Sequence, residues 1–269
     1  HLAAKAAERA LAAAGVAPEE LDIIILGTSS PDRNYPSDAC SVQAAIGAVN
    51  AVAFDISAAC AGFIFAMNIV EGFFKAGIYK TALIIGAETL SKVTDWSDRG
   101  TCVLFGDGAG AAVLKAEETG IIDMMMGADG TKGDALACTS RTVGNFLTGT
   151  KPELGFMTMD GQEVFKFAVR KVPESVMELL QRTGTKKEDI KYYVLHQANE
   201  RIIEAAARRL KEPMEKFPMT IGQFGNTSTA SIPLLLDDMI QKDMLKRGDK
   251  IIMSGFGAGM TWGAVLMEW

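Results

Sequence analysis

The chain has 269 residues, 48% of them hydrophobic, 22% charged and 7% aromatic, with 27 glycines, a profile that fits a compact α/β protein with a large core and leaves no Pro/Ser-rich or single-charge run to act as a linker. A formal net charge of −6 excludes a general binder of nucleic acid or of an anionic membrane surface, because displacing counterions from phosphates takes a basic excess, and no apolar run reaches the roughly 20 residues that span a bilayer. Cys40, Cys60, Cys102 and Cys138 show no C-x-x-C spacing and are joined only by His1 and His196. That argues against a zinc site or a disulfide framework and for a reducing cytoplasm.

In chain order, an amphipathic helix over 2–14 stops at Gly15 and is followed by a strand over 22–28, a helix over 38–47 and a strand over 51–56. A helix over 61–76, stopped by Gly77, leads to strands over 81–88 and 110–116. Beyond these, the pattern predicts a strand over 121–127, a helix over 160–182 ending at Gly184, a strand over 192–197 and a helix over 199–210. A strand over 216–221, a helix over 227–242 and strands over 250–256 and 262–269 complete the series. Near-continuous apolar runs alternating with helices predict parallel-type strands covered on both faces.

GDGAGAAVL (106–114) echoes GFGAGMTWGAVL (255–266), each just before the last strand of its half. The echo suggests a duplication, with halves at 1–120 and 121–269. By this reading the second half has five strands and the first only four, so an opening strand is missing N-terminal to His1. A gap inside the first sheet would leave buried N–H and C=O groups unpaired, so the N-terminal half is expected to be incomplete and the second half complete.

Cys60 lies in DISAACAGFIFAMNIVEGFFKAG, where a strand ends, a tight turn of small residues follows and an apolar helix begins. Unpaired N–H groups and the positive end of that helix would lower the thiol pKa and favour the nucleophilic thiolate. His196, the only internal histidine, ends the strand YYVLH just before NERIIEAAARRL, where open α/β sheets place functional groups. Asn226, in FGNTSTASIP, opens the second-half helix that corresponds to the Cys60 helix. If a two-fold axis relates the halves, those helix starts face each other. The Gly-rich FGAGMTWG (256–263) is suited to aiming backbone N–H groups at an oxyanion. Each feature alone has an ordinary alternative: a small buried thiol, a satisfied strand-end histidine, an N-cap asparagine, a common turn.

Taken together, AACAGF (58–63), FGDGAGAAVL (105–114), HQANERI (196–202), GNTSTASIP (225–233) and FGAGMTWG (256–263) resemble the motif series of the β-ketoacyl-acyl carrier protein synthase III family, across essentially the whole chain. The resemblance implies a thiolase-like α/β fold of two duplicated halves layered α/β/α/β/α, and a Cys, His, Asn triad at Cys60, His196 and Asn226. Elongating condensing enzymes resemble a Cys, His, His site instead, and thiolases carry a second cysteine in the closing loop. Plant-type polyketide synthases share the triad. The family's opening strand and loops precede anything in this sequence, and Ala258 stands where the family has glycine. Alanine keeps the N–H needed for an oxyanion hole with Cys60, provided its φ is negative.

The activity so implied is a decarboxylative Claisen condensation of an acyl-coenzyme A primer with malonyl-acyl carrier protein through acyl-Cys60, initiating fatty acid synthesis without metal or bound cofactor. Also by resemblance, Asn199 orients pantetheine or a site water, Phe256 lines the substrate site, and Tyr35 enters the partner subunit's acyl pocket in a homodimer. Lys166, Arg201, Arg208 and Arg209 form or adjoin the surface that docks the acidic carrier protein. Primer length depends on how GFMTMDGQEVFKF (155–167) folds over the tunnel. The alternatives are an acyltransferase that loads Cys60 without condensing, a polyketide-type condensing enzyme, or a non-catalytic acyl-binding subunit.

Overall fold

A computed structural model describes residues 1–269. Helix α1 (Leu2–Ala14) precedes strand β1 (Ile23–Gly27), α2 (Asp38–Ile46), β2 (Val52–Ile56), α3 (Gly62–Lys75), β3 (Thr81–Glu88) and β4 (Gly108–Lys115). Then come β5 (Ile121–Ala128), the short β6 (Leu136–Cys138) and β7 (Met157–Met159), α4 (Gly161–Thr183), β8 (Ile190–Leu195) and α5 (Glu200–Leu210). The single turn α6 (Ile221–Phe224), α7 (Ser231–Gln241), β9 (Lys250–Gly257) and β10 (Thr261–Glu268) end the chain.

The main strands form two four-stranded sheets in the orders β2-β1-β3-β4 and β5-β10-β9-β8. Only part of each is parallel: β1 runs parallel to β2 and β3, and β8 to β9, while β4 pairs antiparallel to β3 and β10 antiparallel to both β9 and β5. The expectation of parallel-type strands holds for β1, β2 and β3 and for β8 and β9, and is corrected for β4, β5 and β10. A strand that follows its neighbour through a short turn, as β10 follows β9, has to run back antiparallel.

The layering follows from strand alternation. In β1, Ile24 and Leu26 point to one face, where they pack with Ala3, Ala7 and Leu11 of α1. Ile23 and Ile25 point to the other, where they meet Phe63, Ile64, Met67 and Val70 of α3. That central core continues through Ile232 and Leu235 of α7 to Val194, Met253 and Val265 on the second sheet. The far side of the second sheet is covered by α4 and α5 through Phe167, Val176, Leu179, Ile203 and Leu210. Two outer helix layers, two sheets and one buried helix pair make five layers. Burying each large apolar side chain of α3 contributes about 1.5–3 kcal/mol, so this helix is the centre of the body.

Two expectations are overturned. Residues 216–221 are not a strand: a 3-10 turn covers Met214–Lys216 and a helical turn Ile221–Phe224. Pro218 has no N–H to give a ladder, and Phe217 is drawn instead into a stack on Tyr193 at 4.8 Å. The second sheet therefore has four strands like the first. Nor is there a gap inside the first sheet, since β1 pairs directly with β3 over its whole length. The difference between the sheets is at the edge: β10 is flanked by β5, whereas the outer side of β4 pairs with no strand.

Candidate active site

Cys60 sits in a 3-10 turn, Ala59–Ala61, that runs into α3, and its counterpart is the 3-10 turn Ser228–Ala230 that runs into α7. These turns pack against each other at the seam between the sheets. Each contains one non-glycine residue at positive φ, Ala59 at 45° and Ser228 at 51°, a conformation that costs of order 1–2 kcal/mol and needs its surroundings to hold it. The helix predicted from 61 begins at Gly62, just behind its turn, while the one predicted from 227 begins only at Ser231, with the strained turn between.

Glycine makes the approach possible. A Cβ on Gly257, at the end of β9, would lie 2.5 Å from the Cys60 nitrogen, and one on Gly27 would lie 2.7 Å from the Thr229 Cγ2. The second sheet thus abuts the Cys60 turn from one side and the second turn abuts the first sheet from the other.

What ties the second turn to the first sheet is a buried carboxylate. Glu88, 2% exposed at the end of β3, accepts from the Ser30 hydroxyl at 2.6 Å, the Thr28 hydroxyl at 3.2 Å and the Ser29 N–H at 3.0 Å. From the second turn it accepts the Ser228 hydroxyl at 2.9 Å, and Thr229 Oγ1 lies 3.0 Å from it. Thr229 Oγ1 is also 2.8 Å from the carbonyl oxygen of Ala59. Sequence reasoning missed Glu88, Ser228, Thr229 and Ser231. The signal was present as a lone acid ending an apolar strand (TALIIGAE) and as the hydroxyl-rich TSTAS at the equivalent turn.

The triad candidates attach to this seam without bonding to one another. Asn226 is 6% exposed; its backbone bridges to Leu104 and Gly106 at 2.9 Å each, and its Oδ1 accepts from the Ser228 N–H at 2.8 Å. His196, 2% exposed, follows β8 and places Nδ1 2.6 Å from the hydroxyl of Ser231, the first residue of α7. Its ring meets Phe256 edge to face at 5.3 Å. Ala258 is not among the residues at positive φ, which meets the condition set for a backbone donor there. Thr261 Oγ1 lies 3.0 Å from the Ala258 carbonyl oxygen and 3.2 Å from that of Ala58, tying the closing loop to the Cys60 turn.

The electrostatics correct one expectation. Burial pushes the Cys60 thiol up to about 12, an effect that the Ser228 hydroxyl opposes and the charge of Glu88 reinforces. The helix end does not win, because desolvation of a thiolate outweighs a partial charge. Burial also pushes His196 down to about 3. Both shifts favour the neutral forms, so burial works against a thiolate–imidazolium pair in the resting site.

The other predicted residues make none of the bonds of the seam. Asn199 caps α5, its side chain accepting from the Arg201 N–H at 2.9 Å. Tyr35 is 85% exposed in the loop after β1. Lys166, paired with Glu163 at 2.8 Å, is on α4, and Arg201, Arg208 and Arg209 are on the exposed face of α5, Arg208 beside Glu204. Within 155–167, Met157, Val164 and Phe167 are buried in the outer core of the second sheet.

Two mixed sheets enclosing a helix pair, with a cysteine on the strained turn that starts one of those helices, define a thiolase-like condensing enzyme. Comparison with known proteins resolves the class further. The family profile 3-Oxoacyl-[acyl-carrier-protein (ACP)] synthase III matches residues 54–130, and that of its C terminal matches residues 180–269. Beta-ketoacyl-[acyl-carrier-protein] synthase III of Clostridium acetobutylicum is 51% identical over 270 residues, covering 100% of this chain and 83% of the relative. The 3-oxoacyl-[acyl-carrier-protein] synthase III structure from Aquifex aeolicus superposes with a TM-score of 0.91 at 46% identity, covering 99% of this chain and 83% of that one. The synthase III structure from Thermus thermophilus gives 0.92 at 41%, covering 100% and 83%. The chain belongs to the β-ketoacyl-[acyl-carrier-protein] synthase III family, whose members are condensing acyltransferases.

Proposed function

We propose that this protein condenses an acyl-coenzyme A primer with malonyl-acyl carrier protein, releasing carbon dioxide and coenzyme A, with Cys60, His196 and Asn226 as its catalytic residues. The observation that supports the reading is the seam itself: Asn226 bonds to Ser228 and His196 to Ser231, at the two ends of the turn that packs against the Cys60 turn.

In the first half-reaction the Cys60 sulfur attacks the thioester carbon, the N–H groups of Cys60 and Ala258 receive the oxyanion, and the thiol proton ends on the departing coenzyme A sulfur. A thiol displaced to about 12 means that deprotonation accompanies attack on bound substrate. In the second, the malonyl carboxylate leaves as carbon dioxide and its bonding electrons pass to the thioester oxygen. His196 Nε2–H and the Asn226 amide receive that charge. The enolate carbon then attacks acyl-Cys60, expelling a sulfur that takes up one proton. Donors fixed before charge develops lower the barrier without reorganising.

The finer assignments rest on the family resemblance and on exposure. Tyr35 reaches outward as an insertion into a partner copy would require, and the protein works as a homodimer in the cytoplasm. Lys166, Arg201, Arg208 and Arg209 offer the acidic carrier protein a basic face on α4 and α5. Asn199 and Phe256 border the route to Cys60, and the halves 1–120 and 121–269 are products of one duplication. Intact-protein mass spectrometry with acyl-coenzyme A, with and without malonyl-carrier protein, tests the reading. An adduct on Cys60 that turns over to a β-keto product only when the carrier is added supports it; a persistent adduct reduces it to acyl transfer, and no adduct refutes it.

A further inference from the structure

We propose that Ser231 is a positioning residue that fixes His196 in the tautomer bearing its proton on Nε2. The inference rests on the functional reading above only for its catalytic consequence, not for the tautomer itself.

The hydrogen bonds around Ser231 assign the proton. Its Oγ accepts the Gln197 N–H at 3.3 Å and lies 2.6 Å from His196 Nδ1. Ser231 is 2% exposed, and no other acceptor in the chain lies within hydrogen-bonding distance of its hydroxyl. If Nδ1 carried the imidazole proton, Oγ would accept twice and its own hydrogen would be stranded in the interior. If Ser231 donates to Nδ1, every group is satisfied and the ring's single proton sits on Nε2. Burial keeps the ring neutral, so it has one proton to place.

The residue that supplies the acceptor bond is itself locked. Gln197 donates Nε2–H to the Leu195 carbonyl at 2.8 Å and accepts the Thr220 N–H on Oε1 at 2.9 Å. Asn226 repeats the logic: its Oδ1 is taken by the Ser228 N–H, which leaves the amide hydrogens as the free end. His196 Nε2 makes no bond within the chain. The site therefore presents two donors and no lone pair to an oxygen that becomes negative. With the other tautomer, a lone pair on Nε2 would repel the enolate oxygen, so one hydroxyl decides whether His196 helps or hinders.

The chain has only two histidines, so long-range proton–nitrogen NMR of protein labelled with ¹⁵N-histidine reads His196 beside the exposed His1 with little ambiguity. Wild type is expected to show a protonated Nε2 and an unprotonated Nδ1. Ser231→Ala should lose that exclusive pattern and lower condensation on the order of 10-fold or more, with acyl-Cys60 formation nearly unchanged; Ser231→Thr should restore both. A wild-type ring protonated on Nδ1, or an unaltered pattern in Ser231→Ala, overturns the proposal, and the wild-type spectrum decides it even if the variants do not fold. A pattern that changes while condensation does not would uphold Ser231 and sink His196 as the condensation donor.

Discussion

Thr229 donates its hydroxyl to the carbonyl of Ala59 at 2.8 Å, across the seam between the two sheets, and so restrains the residue whose φ of 45° presents Cys60. Thr229→Val keeps the shape and removes the bond. The loss should cost about 1–2 kcal/mol in urea unfolding and slow acylation of Cys60 by more than it weakens binding of the acyl-coenzyme A. Unchanged acylation would mean the turn holds itself.

Glu88 is the common acceptor for hydroxyls of the loop after β1 and of the second turn. Glu88→Ala would strand several buried donors at once, and a loss of at least about 3 kcal/mol is expected, as reduced yield or a lowered Tm. Stability within about 0.5 kcal/mol of wild type would show that water replaces the carboxylate at no cost.

Cys60→Ser should form no acyl-enzyme, because a hydroxyl in this position has no base beside it. In the wild-type protein the rate of iodoacetamide alkylation of Cys60 should climb about tenfold per pH unit from 7 to 9 without a plateau, since burial holds the thiol at about 12. A plateau near pH 8 would reveal an ordinary or lowered thiol pKa.

His196→Ala and Asn226→Ala should both still acquire the acyl group while losing condensation by about 10² or more, as for an oxyanion donor. Single-turnover labelling and product formation, measured separately, check this. Equal loss in both half-reactions would make His196 the base for Cys60.

His196 also predicts acid sensitivity. Its folded pKa of about 3 lies below the ordinary histidine value of 6.5, so below pH 6.5 the unfolded chain binds a proton that the folded chain refuses. The associated stability is complete above pH 6.5 and is lost as pH falls toward 3, amounting to about 2 kcal/mol already gone at pH 5. Urea unfolding of wild type and His196→Gln between pH 7 and 5 should show a shallower decline in the variant. Parallel declines would mean the histidine is not desolvated as described.

Local signals were strong where local physics rules. Apolar runs such as IIIL and LII, Gly stops after α1, α3 and α4, and the small-residue turn before a uniformly apolar helix placed the strands, the helices and Cys60 from the amino-acid order alone, because backbone preferences and burial periodicity act over a few residues. The family motifs singled out His196 and Asn226. Long-range pairing was a different matter. Residues 216–221 look like a strand but pack as a loop, because Pro218 cannot donate to a ladder and Phe217 stacks on Tyr193. The Cys60 thiol reads as activated at a helix start, yet it is raised, because desolvation depends on what covers it from both sheets. Glu88 touching Ser228, 140 residues away, and His196 touching Ser231 across 35 are decided only when the sheets close on α3 and α7. The bonding of a buried acid and the tautomer of a buried imidazole are properties of that enclosure, since each is set by which donors and acceptors folding leaves within reach.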